Sequence, residues 1–227
     1  MNAPQPPTDP QIEVARGKDV TIRFEAQRCI HSRHCVLGQP NVFQANVEGE
    51  WIFPDAATAE DVALVAQACP SGAITYQRND GAAGEPLPKV NVLRVRENGP
   101  LAVLADIRIA GQALPKDAQR TRATLCRCGA SKTKPFCDGS HTQAGFVASG
   151  EPVLKQSQPL AQRDGVLTVT PQKDGPLQVE GNLEICTGTG QTIDRVQKTW
   201  LCRCGHSQNK PFCDSSHRKM GFVADGI

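Results

Sequence analysis

A gapless internal duplication constrains the fold of this chain more than any other feature. The segment from Cys126 to His141 recurs from Cys202 to His217, at an offset of 76 residues that holds for all three cysteines and for the final histidine. The same offset joins Gly99-Pro100-Leu101 to Gly175-Pro176-Leu177, and Gly145-Phe146-Val147 to Gly221-Phe222-Val223. A whole domain is therefore repeated, and the match is more than the echo of one motif.

Each copy carries the same pattern of candidate metal ligands. A C-x-C pair is followed by a third cysteine and then by a histidine. Three thiolates and one imidazole suit either tetrahedral zinc or an iron–sulfur cluster. Zinc knuckles more often place two to four residues between paired cysteines, so the C-x-C spacing favours the cluster. The candidate ligands are Cys126, Cys128, Cys137 and His141 in the first copy, and Cys202, Cys204, Cys213 and His217 in the second.

The cysteine content raises the choice between disulfides and metal ligands. The chain has 10 cysteines and only 4% aromatic residues, so its small cores need a disulfide or a metal for stability. The first ten residues lack the basic and apolar regions of a secretion signal, and no apolar run is long enough to span a bilayer. We therefore expect a cytoplasmic protein outside the membrane, whose reduced thiols bind metal.

The stretch from Cys126 to His141 resembles the CDGSH iron–sulfur domain of the mitoNEET-like family, whose pattern is C-x-C-x2-S/T-x3-P-x-C-D-G-S/A/T-H. The first copy matches every specified position, and the second departs only at Ser215, where the family has glycine. The resemblance covers roughly residues 90–227. It implies one [2Fe–2S] cluster per motif, and electron transfer or transfer of the cluster to an acceptor apoprotein, with no organic substrate.

The single histidine in each ligand set is informative. A [2Fe–2S] cluster takes two protein ligands per iron, so one iron would bind Cys126 and Cys128 and the other Cys137 and His141. A neutral imidazole in place of a thiolate raises the reduction potential above that of an all-cysteine site. The family often pairs two cluster domains about a two-fold axis, which predicts a monomer with an intramolecular pair here.

The N-terminal cysteines follow a second pattern. Cys29 and Cys35 have the separation of the outer cysteines in the bacterial ferredoxin run, with Ser32 in the middle and Cys69-Pro70 as the distant C-P. Residues 18–78 resemble the divergent single-cluster ferredoxin domains, which implies a [3Fe–4S] or [4Fe–4S] cluster. A fourth ligand would come from His31, Ser32 or His34. The alternative is a domain with three buried free cysteines and no cluster.

These patterns predict an α+β protein: a small ferredoxin-like α+β domain, then two β-rich CDGSH domains, each with a cluster-binding loop and a short helix. The clearest N-terminal helix begins after Thr58, a good N-cap. Asp138 and Asp214 are expected to N-cap the short helices. The predicted boundaries are a disordered tail 1–17, the ferredoxin-like domain 18–78, a linker 79–89, CDGSH domains 90–150 and 166–227, and a linker 151–165.

A zinc-binding module and an enzyme are the alternative functions. A zinc-binding interaction module, for example one that binds nucleic acid, is favoured by the two Cys3His sets and by the net charge of +7 over residues 86–227. Aromatic residues that could stack on bases are few and no dense basic run occurs, so we expect no nucleic-acid partner. An enzyme is not expected, because no nucleophile motif or nucleotide loop is present.

Cys186 corresponds to Ala110 in the first copy, so we expect a small core residue.

Overall fold

Strands outnumber helices in this protein, which is a mixed α and β structure as the sequence predicts. The computed structural model describes residues 12–110 and 120–227, and the chain divides into two units between Pro86 and Leu87. No helix in these ranges is both long and apolar enough to cross a membrane. The strands are β1 (Ile12–Arg16), β2 (Val20–Glu25), β3 (Ile74–Arg78), β4 (Val92–Val95), β5 (Leu101–Leu104), β6 (Asp106–Ile109), β7 (Arg122–Leu125), β8 (Val166–Pro171), β9 (Leu177–Cys186) and β10 (Thr192–Leu201). The α-helices are α1 (His34–Gly38), α2 (Ala59–Gln67), α3 (Ser140–Gln143) and α4 (Ser216–Lys219).

The N-terminal unit is built on an antiparallel sheet with the strand order β1-β2-β3. Val20 and Ile22 on the central strand are buried on one face of this sheet. α2 begins after Thr58, whose hydroxyl accepts a hydrogen bond from the Asp61 backbone N–H at 3.1 Å, so the predicted N-cap is confirmed. Val62 and Ala66 on α2 are fully buried and join the core of the sheet.

The predicted disordered tail is wrong in its second half. Residues 1–11 lie outside the described residues, but residues 12–16 form β1. This strand pairs with β2 from Ile12↔Glu25 to Arg16↔Thr21, and Ala15 packs against the core. A hydrophobic alternation over five residues is too short to identify a strand from the sequence. β1 is stable because it pairs with β2, and that pairing cannot be seen in the sequence of β1 alone.

The C-terminal unit contains one sheet of seven strands, in the order β6-β8-β9-β4-β5-β7, with β10 paired to β9. By the offset of 76 residues, β4 of the first copy corresponds to β8 of the second, β5 corresponds to the start of β9, and β6 corresponds to the end of β9. The first strand of each copy pairs in parallel with the third strand of the other copy. The registers are Val92↔Glu184 for β4 with β9, and Asp106↔Val166 for β6 with β8.

This reciprocal pairing gives the two copies a common core. Buried residues from both copies form a single hydrophobic cluster, which includes Leu93 and Leu101 from the first and Leu167 and Leu177 from the second. All four side chains are fully buried. Residues 151–165, between the copies, form no helix or strand. The boundaries 90–150 and 166–227 stay sequence predictions. The structure adds that each copy contributes a strand that pairs with the other copy.

Candidate metal centres

In the first repeat, the candidate ligands lie in a loop that follows β7. Cys126 comes directly after the strand, and its Sγ atom lies 3.8 Å from Sγ of Cys128. Two thiolates bound at about 2.3 Å to one tetrahedral metal are about 3.8 Å apart. The C-x-C pair therefore already has the separation that two ligands of one metal atom require.

The other two candidate ligands form a second pair. His141 lies on α3, and its Nδ1 atom is 3.3 Å from Sγ of Cys137. A thiolate and an imidazole on one tetrahedral metal are about 3.5 Å apart. Among the described residues, no group of three or more Cys, His, Asp or Glu side chains is arranged to hold a single ion. The donors of each repeat thus come together two by two.

The second repeat reproduces both pairs. The Sγ atoms of Cys202 and Cys204 are 3.7 Å apart, and Sγ of Cys213 lies 3.5 Å from Nδ1 of His217. Each third cysteine also accepts a backbone hydrogen bond at 3.4 Å, from Gly139 in the first repeat and from Ser215 in the second. Such N–H donors stabilise negative charge on sulfur, which suits a thiolate ligand.

Hydrogen bonding and burial set the protonation of the ligands. The hydrogen bond between the Cys126 and Cys128 sulfur atoms lowers the pKa of Cys126 to about 6, although burial opposes this, and raises the pKa of Cys128. Burial raises the pKa of Cys137 to about 11. Burial lowers the pKa of His141, so the imidazole is neutral near pH 7, and the neutral ring is the form that binds metals. Cys126 is therefore the cysteine of the first repeat whose thiolate forms most readily.

The N-terminal unit brings its three cysteines to one cavity of about 530 Å³, lined by Cys29, Cys35 and Cys69. Burial raises the pKa of Cys29 and Cys35, and the charge of Cys69 adds to both effects. The three residues offered as a fourth ligand, His31, Ser32 and His34, also line this cavity. The structure thus places the distant Cys69 beside the other two cysteines.

Comparison with known proteins agrees with these positions. Residues 98–142 and 174–218 each match the family described as "Iron-binding zinc finger CDGSH type". The chain is a tandem CDGSH iron–sulfur protein. Residues 15–79 match the "Divergent 4Fe-4S mono-cluster" family. The uncharacterized protein YjdI of Escherichia coli K12 is 34% identical over 61 residues, which are 27% of this chain and 79% of the relative, and its counterpart in strain O157:H7 matches equally.

Each CDGSH repeat has a buried arginine that sequence reasoning missed. Arg127, between the two cysteines of C-x-C, is only 1% exposed. Its guanidinium donates to the carbonyl oxygens of Gly99 (3.0 Å), Ser149 (3.0 Å), Arg96 (2.6 Å) and Ala148 (3.1 Å). The turn it holds faces the site, because a Cβ on Gly99 would lie 3.8 Å from Nε2 of His141.

Arg203 has the same role in the second CDGSH repeat. It donates to the carbonyl oxygens of Gly175 (3.0 Å), Asp225 (2.9 Å) and Gln172 (2.6 Å). Each arginine also lies over a phenylalanine ring, Phe146 or Phe222. Burial lowers the pKa of Arg127 to about 10, which leaves it charged at neutral pH. The signal in the sequence was the identical arginine inside both C-x-C pairs.

The cluster loops of the two CDGSH repeats touch each other. Cys128 and Cys204 form an isolated antiparallel β-bridge. Gly129 and Gly205 follow them with φ near +83° and +87°, and a Cβ on either would come within 2.6 Å of the other loop's carbonyl oxygen. Glycine is therefore required at this contact for both conformation and space.

The helix caps correct a prediction. The N-cap residues of α3 and α4 are Gly139 and Ser215, and Asp138 and Asp214 lie one residue earlier. Asp138 Oδ1 accepts from the Ser140 N–H at 3.0 Å and Oδ2 from the Lys132 N–H at 2.8 Å. Burial tends to raise the pKa of Asp138, but these hydrogen bonds lower it overall. The aspartate therefore joins the start of the helix to the cluster loop. Gly139, between Asp138 and the first helical residue, has the left-handed conformation.

Ser215 pays a conformational penalty at that position, which leads to a prediction. Gly139 has φ +86° and Ser215 has φ +70°, a region that glycine adopts far more easily than serine. Ser215→Gly is expected to raise the free energy of unfolding by about 0.5 to 1 kcal/mol, measured by chemical denaturation. Gly139→Ser is the matched change and is expected to lower it similarly, since its Cβ would meet nothing within 4 Å. Equal stability of both variants and the wild type would contradict the argument.

Cys186 is buried at 4% exposure, and its Sγ lies 3.7 Å from the Thr192 hydroxyl oxygen. The prediction of a small core residue is confirmed.

Proposed function

We propose that the C-terminal unit binds two [2Fe–2S] clusters, one in each CDGSH repeat, through three cysteines and one histidine. The observation that supports this most is the pairing of the donors, 3.8 Å for Cys126 with Cys128 and 3.3 Å for Cys137 with His141. A two-iron cluster needs two protein ligands on each iron, and each pair has the required separation. Cys202 with Cys204, and Cys213 with His217, are the equivalent pairs of the second repeat.

We further propose that the N-terminal unit is a ferredoxin-like domain whose Cys29, Cys35 and Cys69 hold a [3Fe–4S] or [4Fe–4S] cluster. The cavity that these cysteines line supports the proposal, because it brings together residues up to 40 positions apart. A [3Fe–4S] cluster needs three cysteines only. A [4Fe–4S] cluster needs a fourth ligand from His31, Ser32 or His34.

The function that these centres support is electron transfer, or transfer of a cluster to an acceptor apoprotein. An iron–sulfur cluster supplies a reversible one-electron change when it is bound. The chain's own residues hold the thiolates, keep the His141 imidazole neutral and bury Cys126 and Cys202 away from water. We propose no catalysis of an organic substrate. The partner would be a redox protein or an apoprotein, and the paired repeats suit a monomer.

The second candidate is a zinc-binding interaction module, because the separations of the donor pairs suit zinc as well as iron. Metal and sulfide analysis of protein purified without oxygen distinguishes the two. We expect about seven or eight iron atoms and about eight acid-labile sulfides per chain. Zinc without acid-labile sulfide would contradict the proposal of clusters.

A cysteine substitution in the full chain tests the N-terminal site. Cys69→Ser is expected to remove about three or four iron atoms per chain and leave the [2Fe–2S] absorbance unchanged, because the three sites share no ligand. If the lost cluster is [3Fe–4S], the EPR signal of the oxidised protein disappears as well. Cys186→Ser, at a buried cysteine outside every site, is the control and should keep the full iron content. Equal iron in Cys69→Ser and wild type would mean that the N-terminal cysteines are structural.

A further inference from the structure

The two CDGSH repeats differ in the side chains around the histidine end of each site. In α4, Arg218 and Lys219 follow His217, whereas the uncharged Thr142 and Gln143 occupy the same positions in α3. Both basic residues are exposed. Because the duplication aligns these positions without a gap, the basic pair is specific to the second repeat.

A groove of about 660 Å³ opens beside this basic pair. Cys213 and His217, proposed as the ligands of one iron, line the groove together with Arg218. The turn that contains Lys173 lines it as well, and so does Trp200. The second site therefore meets the surface in a groove.

Trp200, which lines this groove, has an exposed aromatic side chain. It is 46% exposed on β10, whereas Thr124, its counterpart in the first repeat, is only 2% exposed. The Cys213 backbone N–H donates to the Trp200 carbonyl oxygen at 2.8 Å, so the tryptophan lies next to a proposed ligand. Tryptophan is enriched at the energetically important centres of protein interfaces.

Basic residues outnumber acidic ones around the groove. Lys173 and Arg218 line it, and the exposed Lys219 follows Arg218 on α4. The acidic residues are Asp174, in the same turn as Lys173, and the exposed Asp214, whose carboxylate accepts hydrogen bonds from the Gln208 and Ser216 N–H groups. Oδ1 of Asp174 already accepts a hydrogen bond from the Ala224 N–H at 2.9 Å. The corresponding positions of the first repeat are Glu97, Asn98, Thr142 and Gln143, which include no basic residue. A positive rim around an aromatic residue attracts a negatively charged protein surface.

We propose that this groove is the docking surface for an acidic electron-transfer protein, and that electrons are exchanged at the second CDGSH site. This inference rests on the proposed function, since it requires a [2Fe–2S] cluster at that site. One electron passes from the reduced carrier of the partner to the oxidised cluster, or in reverse. No bond forms or breaks, and no leaving group is involved. Redox complexes of this kind use small interfaces, for which one groove is sufficient.

The test uses stopped-flow reduction of the full-length protein, with all clusters loaded, by a reduced acidic [2Fe–2S] ferredoxin. We expect the second-order rate to fall as salt increases. Arg218→Glu/Lys219→Glu is expected to lower the rate at low salt by about tenfold. Thr142→Glu/Gln143→Glu in the first repeat is the matched control, with an expected change of less than about twofold. Lys173→Glu, which copies Glu97, tests the other side of the groove without touching α4 and should slow the reaction too.

Two further measurements separate failure of docking from failure of the proposed function. Iron, sulfide and absorbance show whether the second site holds a cluster, and an uncharged small reductant shows whether that cluster can be reduced. Full cluster content with unchanged ferredoxin rates in both the α4 and the Lys173 variants would overturn the docking proposal. Equal slowing by the control pair, or a rate that does not depend on salt, would overturn it as well. Absence of the cluster from the wild-type second site would overturn the proposed function itself.

Discussion

Replacing Arg127 by methionine is expected to lower the free energy of unfolding of the C-terminal unit by about 3 to 5 kcal/mol. Methionine is similar in length but donates no hydrogen bond. The carbonyl oxygens of Gly99, Ser149, Arg96 and Ala148 would lose the guanidinium that now joins them. The loss of several hydrogen bonds at one buried group exceeds the cost of burying the charge, which methionine would relieve.

The Arg127 prediction is measured by chemical denaturation of wild type and variants with equal cluster content. Arg203→Met, in the second repeat, is expected to have a similar effect. Arg127→Lys should lie between, because one ammonium cannot reach carbonyl groups on both flanking segments. Arg94→Met, at an exposed position of β4, is the control and should change stability by less than about 0.5 kcal/mol. If Arg127→Met were as stable as Arg94→Met, the buried arginine would not hold these segments together.

Replacing Cys137 by serine is expected to remove about half of the [2Fe–2S] absorbance. The second repeat has its own four donors, with pair separations of 3.7 Å and 3.5 Å, and shares none of them with the first. The two loops nevertheless touch at the bridge between Cys128 and Cys204. Loss of one cluster could therefore weaken the other site through this contact, although the two sites share no ligand. We expect the backbone contact to persist because it depends on Gly129 and Gly205 and not on the lost ligand.

Absorbance and iron content of the purified full chain measure the Cys137→Ser effect. Cys213→Ser should remove the other half, and the double variant should remove both clusters. Cys186→Ser should keep both, which separates the loss of a ligand from the loss of any buried cysteine. Loss of both clusters in the single variant would show that the sites are coupled through the bridge. Unchanged absorbance would show that Cys137 is not a ligand.

The local features of this protein were predictable from its sequence. Thr58 was identified as an N-cap because a cap depends on one side chain and the three residues after it. Cys186 was identified as a core residue because its counterpart in the repeat is alanine. The helix-carried histidines followed from the spacing of a motif that occurs twice. Each of these inferences uses interactions over a few residues, or the comparison of one copy with the other.

Other features depend on contacts between residues far apart in the chain. Alternation in β4 and β8 shows which side chains are buried, but not that each strand pairs with the other copy, because any β-strand offers the same backbone groups. β1 was predicted as a tail since its stability comes from β2. Asp138 is not the N-cap of α3, because the left-handed Gly139 lies between it and the helix, and its carboxylate instead accepts a hydrogen bond from Lys132 in the cluster loop.

The sequence by itself determined which side chains can bind metal, since donor chemistry is a property of residue type and the duplication repeats it at a constant offset. Only the tertiary structure decided the distances between those donors and what surrounds them. It placed Cys69 in the cavity of Cys29 and Cys35, and it buried Arg127 among four carbonyl groups. The physical reason is that burial and charge at a site are set by every segment that folds against it, and those segments are joined by hydrogen bonds that no local pattern encodes.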